Sequence, residues 1–290
     1  MKIIRATHLG MCFGVKDAIK LALATTRQEP VTVLGDLVHN ATVLKELRAA
    51  GIQFEQRAES VRTETVMITA HGASAKAINE TRQKGLKVLE ATCPLVHFAH
   101  RSLRRLVDQG FYPVVIGRHD HVEVRGITDD FAEIDVILSA EDIARMKPRA
   151  KFGVISQTTQ PIQKVRELVQ QLREHFPAAE VQFADTVCQP TKQRQSAAVE
   201  LAQQSTMVIV VGGAHSNNTQ ELVRTCREFC QRVHHIQTAE ELLTGWFHSD
   251  DTIGITAGTS TPDKVIEAVE NRLQALVESL TPENNLAVNA

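Results

Sequence analysis

Short runs of β-branched and aliphatic residues alternate along this chain with longer stretches whose apolar positions recur at helical spacing. Six such runs stand out: Val31 to Leu34, Val66 to Thr69, Pro113 to Ile116, Phe152 to Ile155, Met207 to Val211 and Ile253 to Thr256. Each stops abruptly in a polar or glycine-containing segment. Continuous apolar strands separated by helices suit parallel sheets covered on both faces, so the pattern predicts an α/β fold. Taken in pairs, the runs divide the chain into thirds.

A second spacing runs through the same thirds. Cys12, Cys93 and Cys188 stand 81 and 95 residues apart. Cys12 lies in Gly10-Met11-Cys12-Phe13-Gly14, between the strand-like Lys2 to Ala6 and a helical pattern of Val15, Ala18, Ile19, Ala22 and Leu23. Cys93 follows Val88-Leu89 and precedes Pro94, which suits the first turn of a helix running to about Gly110. Cys188 follows Val181 to Val187 and precedes Pro190 and the amphipathic Ala197, Ala198 and Leu201. Each third therefore opens with strand, cysteine, helix. The units expected are 1–95 with the N-terminal strand, 96–190 and 191–280, followed by a polar tail over 281–290.

Composition narrows the partners. Apolar residues make up 43% and charged residues 23%, and 32 basic against 34 acidic side chains leave a formal charge of -2, which is ordinary globular usage and argues against a polyanion partner. With 10 Phe, 1 Tyr and 1 Trp there is little material for stacking single-stranded nucleic acid. No run of about 18 apolar residues predicts a membrane span, and Lys2, Arg5 and His8 interrupt any signal-peptide core. A cytoplasmic protein is expected. Five cysteines in such a chain argue against a disulfide framework and leave thiols for chemistry.

A thiol just before a helix N-terminus feels the positive end of the peptide dipoles, which favours the thiolate. Three such sulfurs converging would need a metal charge to offset them, and on a cubane [4Fe-4S] cluster they would leave one iron open. Zinc fits less well because structural zinc sites draw ligands in local pairs. Cys226 and Cys230, one turn apart between Gln220 and Val233 beside Leu222 and Val223, read as core packing. The segments after the six runs are rich in histidine and small polar residues: His39-Asn40, His71-Gly72, His121 with Glu123, Gln157-Thr158-Thr159, Ser216-Asn217-Asn218 and Gly258-Thr259-Ser260. Ligands of α/β sheets bind at the carboxyl ends of strands, and this set suits a small phosphorylated substrate. Neither a phosphate-binding G-x-x-x-x-G-K-[ST] loop nor a dinucleotide G-x-G-x-x-G motif is present. Glu123, two residues after His121, would share a side with it in an extended segment and form a proton relay. Thr158 reads as a hydroxyl for the substrate or as a helix cap.

Taken together, Gly10-Met11-Cys12-Phe13-Gly14-Val15, Val38-His39-Asn40, Ala70-His71-Gly72, Ala91-Thr92-Cys93-Pro94, His121-Val122-Glu123, Gln157-Thr158-Thr159, Cys188, Ser216-Asn217-Asn218 and Gly258-Thr259-Ser260-Thr261-Pro262-Asp263 resemble the 4-hydroxy-3-methylbut-2-enyl diphosphate reductase family over nearly the whole length. The resemblance implies a trefoil of three pseudo-threefold α/β units around a [4Fe-4S] cluster held at Cys12, Cys93 and Cys188. It implies that His39, His71, His121, Ser216, Asn217, Asn218 and Ser260 grip the diphosphate of an allylic alcohol. It further implies that Glu123 feeds protons, that Thr158 orients the substrate alcohol, and that electrons arrive singly from a ferredoxin or flavodoxin. Three positions depart from the family pattern: Val122 stands where proline is usual, Asp120 where glycine is frequent, and Gln189-Pro190-Thr191-Lys192-Gln193 replaces a threonine-rich segment. Two other readings remain open at this stage, a quinolinate-synthase-like dehydratase using the open iron as a Lewis acid, and a non-catalytic cluster protein that senses redox state.

Overall fold

In the computed structural model residues 1–280 are described, and the tail expected over 281–290 lies outside them. The chain enters through β1 (Lys2–Arg5) and α1 (Phe13–Thr26), then β2 (Val31–Leu34), α2 (Ala41–Ala49), β3 (Gln53–Glu55), β4 (Thr65–Ile68), α3 (Ala75–Gln83) and β5 (Lys87–Glu90). After α4 (Pro94–Asp108) follow β6 (Tyr112–Ile116), α5 (Val122–Thr128), β7 (Asp135–Ile137), α6 (Ala140–Ala144), β8 (Lys151–Ser156), α7 (Ile162–His175) and β9 (Glu180–Phe183). The remainder is α8 (Gln189–Gln203), β10 (Met207–Val211), α9 (Asn217–Phe229), β11 (Val233–Ile236), β12 (Thr252–Ala257) and α10 (Asp263–Leu280).

Among the described residues these strands form three four-stranded parallel sheets, ordered β3-β2-β4-β5, β7-β6-β8-β9 and β11-β10-β12-β1. The α/β class is the one the hydrophobic pattern predicts, and the six apolar runs are the two inner strands of each sheet. Inner strands such as β4 and β10 are buried at every position, so no polar face is required of them. Outer strands such as β3, β5 and β9 expose part of their length.

The three sheets share one order, and their last position is taken by β5, β9 and β1. These are the strands that precede Cys93, Cys188 and Cys12. The third sheet is thus completed by the first strand of the chain, with Lys2 in register with Thr252.

By compactness the chain divides into two units. The larger comprises Phe13–Val38 and Thr42–Gln189; the smaller comprises Met1–Cys12, His39–Ala41 and the described residues from Pro190 onward. In the larger unit α4 presents Ala99, Leu103 and Leu106 to Val115 and Ile155 on one face of the second sheet. Val165, Leu168, Val169 and Leu172 of α7 meet Val114, Phe152 and Val154 on the other. Successive strand residues point to opposite faces, and both faces here are covered. In the smaller unit Met207, Ile209 and Val211 pack with Ile266, Val269, Leu273 and Leu276 of α10, while Val208 and Val210 pack with Ala198, Leu201, Leu222 and Cys226. Each fully buried aliphatic side chain contributes about 1.5–3 kcal/mol relative to exposure.

Cys226 and Cys230 belong to this last core, as expected, but not to one helix. The α9 helix ends at Phe229 and Cys230 is extended, its N–H bonded to the Cys226 carbonyl where the chain turns toward β11. Burial, with a smaller effect of Cys230, pushes the Cys226 thiol up to about 12. A thiol held in that state packs and does not react. Among the described residues no helix is long and apolar enough to cross a membrane.

Candidate active site

Cys12, Cys93 and Cys188 each lie between an outer strand and a helix, and each is half-buried, unlike Cys226 and Cys230. None of the five is in a disulfide. The same backbone bond holds all three. The Cys93 N–H donates to the Ala70 carbonyl at 3.1 Å, the Cys188 N–H to the Thr158 carbonyl at 3.0 Å, and the Cys12 N–H to the Thr259 carbonyl at 3.0 Å. Ala70, Thr158 and Thr259 are each the second residue after an inner strand, β4, β8 and β12. The repeat that the sequence shows only as spacing is therefore a repeat of hydrogen bonding.

Local features set each cysteine. Cys93 is the N-cap of α4, with Pro94 opening the helix, where a missing N–H costs nothing. Its sulfur lies against the first turn of α1, and a side chain at Gly14 would stand 2.5 Å from it, so only glycine fits. Cys12 follows Gly10, whose positive φ of 75° glycine tolerates. The Gly10 carbonyl accepts two bonds from the guanidinium of Arg194, from Nε at 2.9 Å and Nη2 at 2.6 Å, and Nη1 donates to the Pro190 carbonyl at 3.0 Å. Arg194 is buried and was not singled out in the sequence, where one arginine inside a polar helix carries no distinguishing signal.

The proton side of the site departs from the extended segment expected at His121 and Glu123. His121 is the N-cap of α5, and its Nδ1 accepts the Glu123 N–H at 3.1 Å, so Val122 and Glu123 form the first helical turn. Because Nδ1 accepts, the ring proton sits on Nε2 and presents a donor. Gly126 meets the backbone of Ala73, with room for no side chain larger than hydrogen without a shift, and the His71 and His121 rings stand edge to face at 5.7 Å. Asp120 pairs with Arg118 at the surface, a contact of little energy.

Glu123 is 1% exposed. Its Oε1 accepts the Thr158 N–H at 2.7 Å and its Oε2 the Thr158 hydroxyl at 3.0 Å. Burial disfavours the charged form and pushes its pKa up to about 7, against the two Thr158 bonds, which pull it down. Thr158 is no helix cap, since α7 begins at Ile162 with Pro161 as its N-cap. Instead it bridges: side chain and N–H to Glu123, carbonyl to Cys188. Gln157 fixes the loop, its Oε1 accepting from the Arg118 N–H and Gln160 Nε2 and its Nε2 donating to Thr159.

In the smaller unit the equivalent positions carry neutral groups. Ser216 is the N-cap of α9 and accepts the Thr219 N–H at 3.4 Å. Asn217 and Asn218 follow, both buried. Asn218 Oδ1 accepts the Thr259 N–H at 3.0 Å, and its Nδ2 is buried without a hydrogen-bond partner among the described residues. A buried amide left in that state costs about 1–3 kcal/mol, and an incoming anion oxygen would satisfy it. The Ser260 hydroxyl donates to the His39 carbonyl at 3.1 Å, against which Gly213 also packs with no space for a Cβ. A 13-residue helix N-terminus, hydroxyls and an amide donor are groups of the kind that bind anions.

The larger unit thus joins Cys188, Thr158, Glu123, His121 and His71 in one run of contacts, with Cys93 bonded beside His71. The smaller joins Cys12, Thr259 and Asn218, and Ser260 with His39. Among the described residues no three His, Cys, Asp or Glu side chains are grouped to hold a metal ion. Three half-buried thiols, one in a glycine-lined cradle, each following a strand into a helix, are donors of the type an iron-sulfur cluster takes.

The chain matches the family described as LytB protein over residues 3–274. A relative from Trichlorobacter lovleyi named 4-hydroxy-3-methylbut-2-enyl diphosphate reductase is 37% identical over 96% of this chain and 100% of its own length. One of the same name from Aquifex aeolicus is 36% identical over 95% and 97%. A solved structure described as (E)-4-hydroxy-3-methyl-but-2-enyl diphosphate reductase, the terminal enzyme of the non-mevalonate pathway, is similar with a TM-score of 0.69 and 35% identity, covering 94% of this chain and 99% of that one. The E-1-hydroxy-2-methyl-but-2-enyl-4-diphosphate reductase of Plasmodium falciparum gives a TM-score of 0.89 at 25% identity over 94% and 88%. With the matched region spanning nearly all of its length, this chain belongs to the LytB family.

Proposed function

We propose that this protein is a reductase that removes the allylic hydroxyl of (E)-4-hydroxy-3-methylbut-2-enyl diphosphate, giving isopentenyl and dimethylallyl diphosphate, with a [4Fe-4S] cluster at Cys12, Cys93 and Cys188. The observation that carries this reading is the bonded path from Cys188 through Thr158 to a buried carboxyl whose pKa lies near neutrality. An alcohol leaves poorly unless a proton reaches its oxygen as the C–O bond breaks, and an acid with a pKa near the working pH delivers it best. The cluster, when bound, supplies electrons and Lewis acidity.

The chain's own residues do the rest. Ionised, Glu123 accepts the Thr158 O–H; when it holds the proton its own O–H donates to the Thr158 oxygen, whose hydroxyl then turns to the substrate alcohol, orients it and passes the proton on. The Nε2–H of His121, with His39, His71, Ser216, Asn217, Asn218 and Ser260, binds the diphosphate. Each turnover consumes two electrons and two protons; the oxygen leaves as water and the second proton ends on carbon. The electrons come from a one-electron carrier of ferredoxin or flavodoxin type, and the protein works in the cytoplasm, where thiols stay reduced. The names of the relatives favour this over the dehydratase and sensor readings.

Anaerobic reconstitution with iron and sulfide, then incubation with the allylic hydroxy-diphosphate and a chemical one-electron reductant, tests it. Both five-carbon diphosphates should form, and Cys226→Ala should retain the parent's iron content. An intact cluster that never turns over this substrate overturns the proposed activity, and lost iron in Cys226→Ala overturns the choice of ligands.

A further inference from the structure

Cys93 caps α4, and the helix carries an outward stripe from it. Pro94, Phe98, Arg101 and Arg105 are exposed at spacings of four, three and four residues, which is one face of a helix. Phe98 is 46% exposed, and Phe13, one residue from the glycine that cradles the Cys93 sulfur, is 47% exposed. At 1.5 Å per residue Phe98 lies about 7.5 Å along the helix from Cys93 and Arg101 about 12 Å.

A hollow flanks the stripe on each side. One, of about 350 Å³, is lined by Arg82, His97, His100, Arg101 and Arg104 among others; its carboxylates are already engaged, Glu90 with Arg82 and His97, and Asp130 with the backbone N–H groups opening α3. The second, of about 300 Å³, runs between Phe98, Ser102 and Arg105 on the helix and Gln182 and Ala184. Arg82 and His97 are offset by Glu90 and burial lowers the pKa of His100, but Arg101, Arg104 and Arg105 are in no ion pair among the described residues, which makes the face locally basic on a chain whose formal charge is -2. Exposed aromatics ringed by arginine are what protein interfaces are built from, and a basic face selects acidic partners.

We infer that the outward face of α4, centred on Phe98, Arg101 and Arg105, is the docking surface for a small acidic one-electron carrier protein. The inference rests on the proposed function, which needs two electrons per turnover in a chain without a dinucleotide-binding motif. Two carriers dock in succession and each is oxidised by one electron. The two electrons and two protons replace the allylic C–OH bond by C–H, one proton leaving with the hydroxyl as water and the other ending on carbon.

The test compares reductants on the cluster-loaded enzyme. With dithionite and methyl viologen, Arg101→Glu/Arg105→Glu and Phe98→Ser should turn over within about twofold of the parent, since small reductants need no docking. With a reduced acidic ferredoxin, KM for the carrier should rise by at least about tenfold in both variants, and the steep loss of rate with salt seen in the parent should flatten in the charge-reversed one. Unchanged carrier-driven rates overturn the docking surface while leaving the activity standing. A parent enzyme inert with every reductant overturns the activity itself. A parent dimer that the charge reversal dissociates, without change in carrier-driven rate, assigns the face to a second copy and overturns the inference.

Discussion

Glu123 and Asn218 occupy the same place in two copies of one design. Each is the second residue of the helix that follows the first inner strand of its sheet, and each is about 1% exposed. Each accepts the backbone N–H of the second residue after the other inner strand, Thr158 or Thr259, whose carbonyl in turn takes the N–H of a loop cysteine. Only the side chain differs. The carboxyl, buried with a second bond from the Thr158 hydroxyl, has its pKa pushed up to about 7 and can give a proton. The amide cannot ionise and offers an unsatisfied N–H. The repeated frame fixes where a group stands, and the residue placed there decides whether the position offers an ionisable carboxyl or a neutral donor.

Removing the ionisable member should have the largest effect. Glu123→Gln keeps the shape and leaves the amide oxygen to accept the Thr158 N–H while the hydroxyl turns to face the new NH₂. Turnover should fall by about 10²- to 10⁴-fold, with diphosphate affinity and iron content kept. The same change alters stability in a definite direction. The folded state holds a proton on Glu123 that the unfolded chain, with its ordinary pKa of 4.5, releases earlier. The contribution of Glu123 is therefore full below about pH 4.5, and about 3 kcal/mol of it is lost as pH rises from there through about 7. Glu123→Gln should flatten that fall in urea titrations across the window and be the more stable protein at pH 8. A variant with the parent's turnover and the parent's pH slope would remove Glu123 from the proton path.

The converse substitution sharpens the contrast. Asn218→Asp puts a carboxylate where the frame holds a neutral donor. Its Oδ1 can still accept the Thr259 N–H, so the loop bearing Ser260 and Cys12 should stay in place. The diphosphate, however, would meet a like charge and lose the amide donor, raising KM by at least about tenfold with a smaller change in kcat. An unchanged KM would place the diphosphate away from Asn218. Low pH should partly restore affinity as the new carboxyl is neutralised, which a mere packing defect would not do.

Much of this frame is legible in the sequence, for reasons the burial explains. Inner strands sit between two helical layers and must be apolar throughout, so all six announce themselves. Outer strands such as Gln53-Phe54-Glu55 and Asp135-Val136-Ile137 are three residues long with partly exposed positions, and carry no such run. That β1 completes the last sheet is invisible locally, because its partner β12 lies some 250 residues away. In the candidate site, residue types at strand ends single out His71, His121, Glu123 and Asn218, but not their geometry. The extended His121 to Glu123 segment fails because the imidazole bonds the Glu123 N–H and starts a helix. The cysteine supports are backbone carbonyls, which any residue supplies, and the Arg194 clamp on Gly10 joins positions 184 apart.

That helix start also settles what Val122 does in place of the familiar proline. Val122 is the first residue of α5, where the N–H has no intrahelical acceptor and proline's fixed φ suits the helix. His121 before it has φ -75° and ψ 136°, within the region a following proline demands. The direction of the proposed relay is held by the His121 cap, so valine need not disturb it. Val122→Pro should therefore leave kcat within about twofold and stabilise the fold by about 0.4–1 kcal/mol through the unfolded chain, the smallest of these effects. In a protein of this size that is a rise in Tm of about 1–4 °C, measurable by calorimetry at fixed pH. A fall in Tm with lost turnover would mean that the first turn of α5 depends on freedom at residue 122, and that the carboxyl and amide frames differ in backbone as well as in side chain.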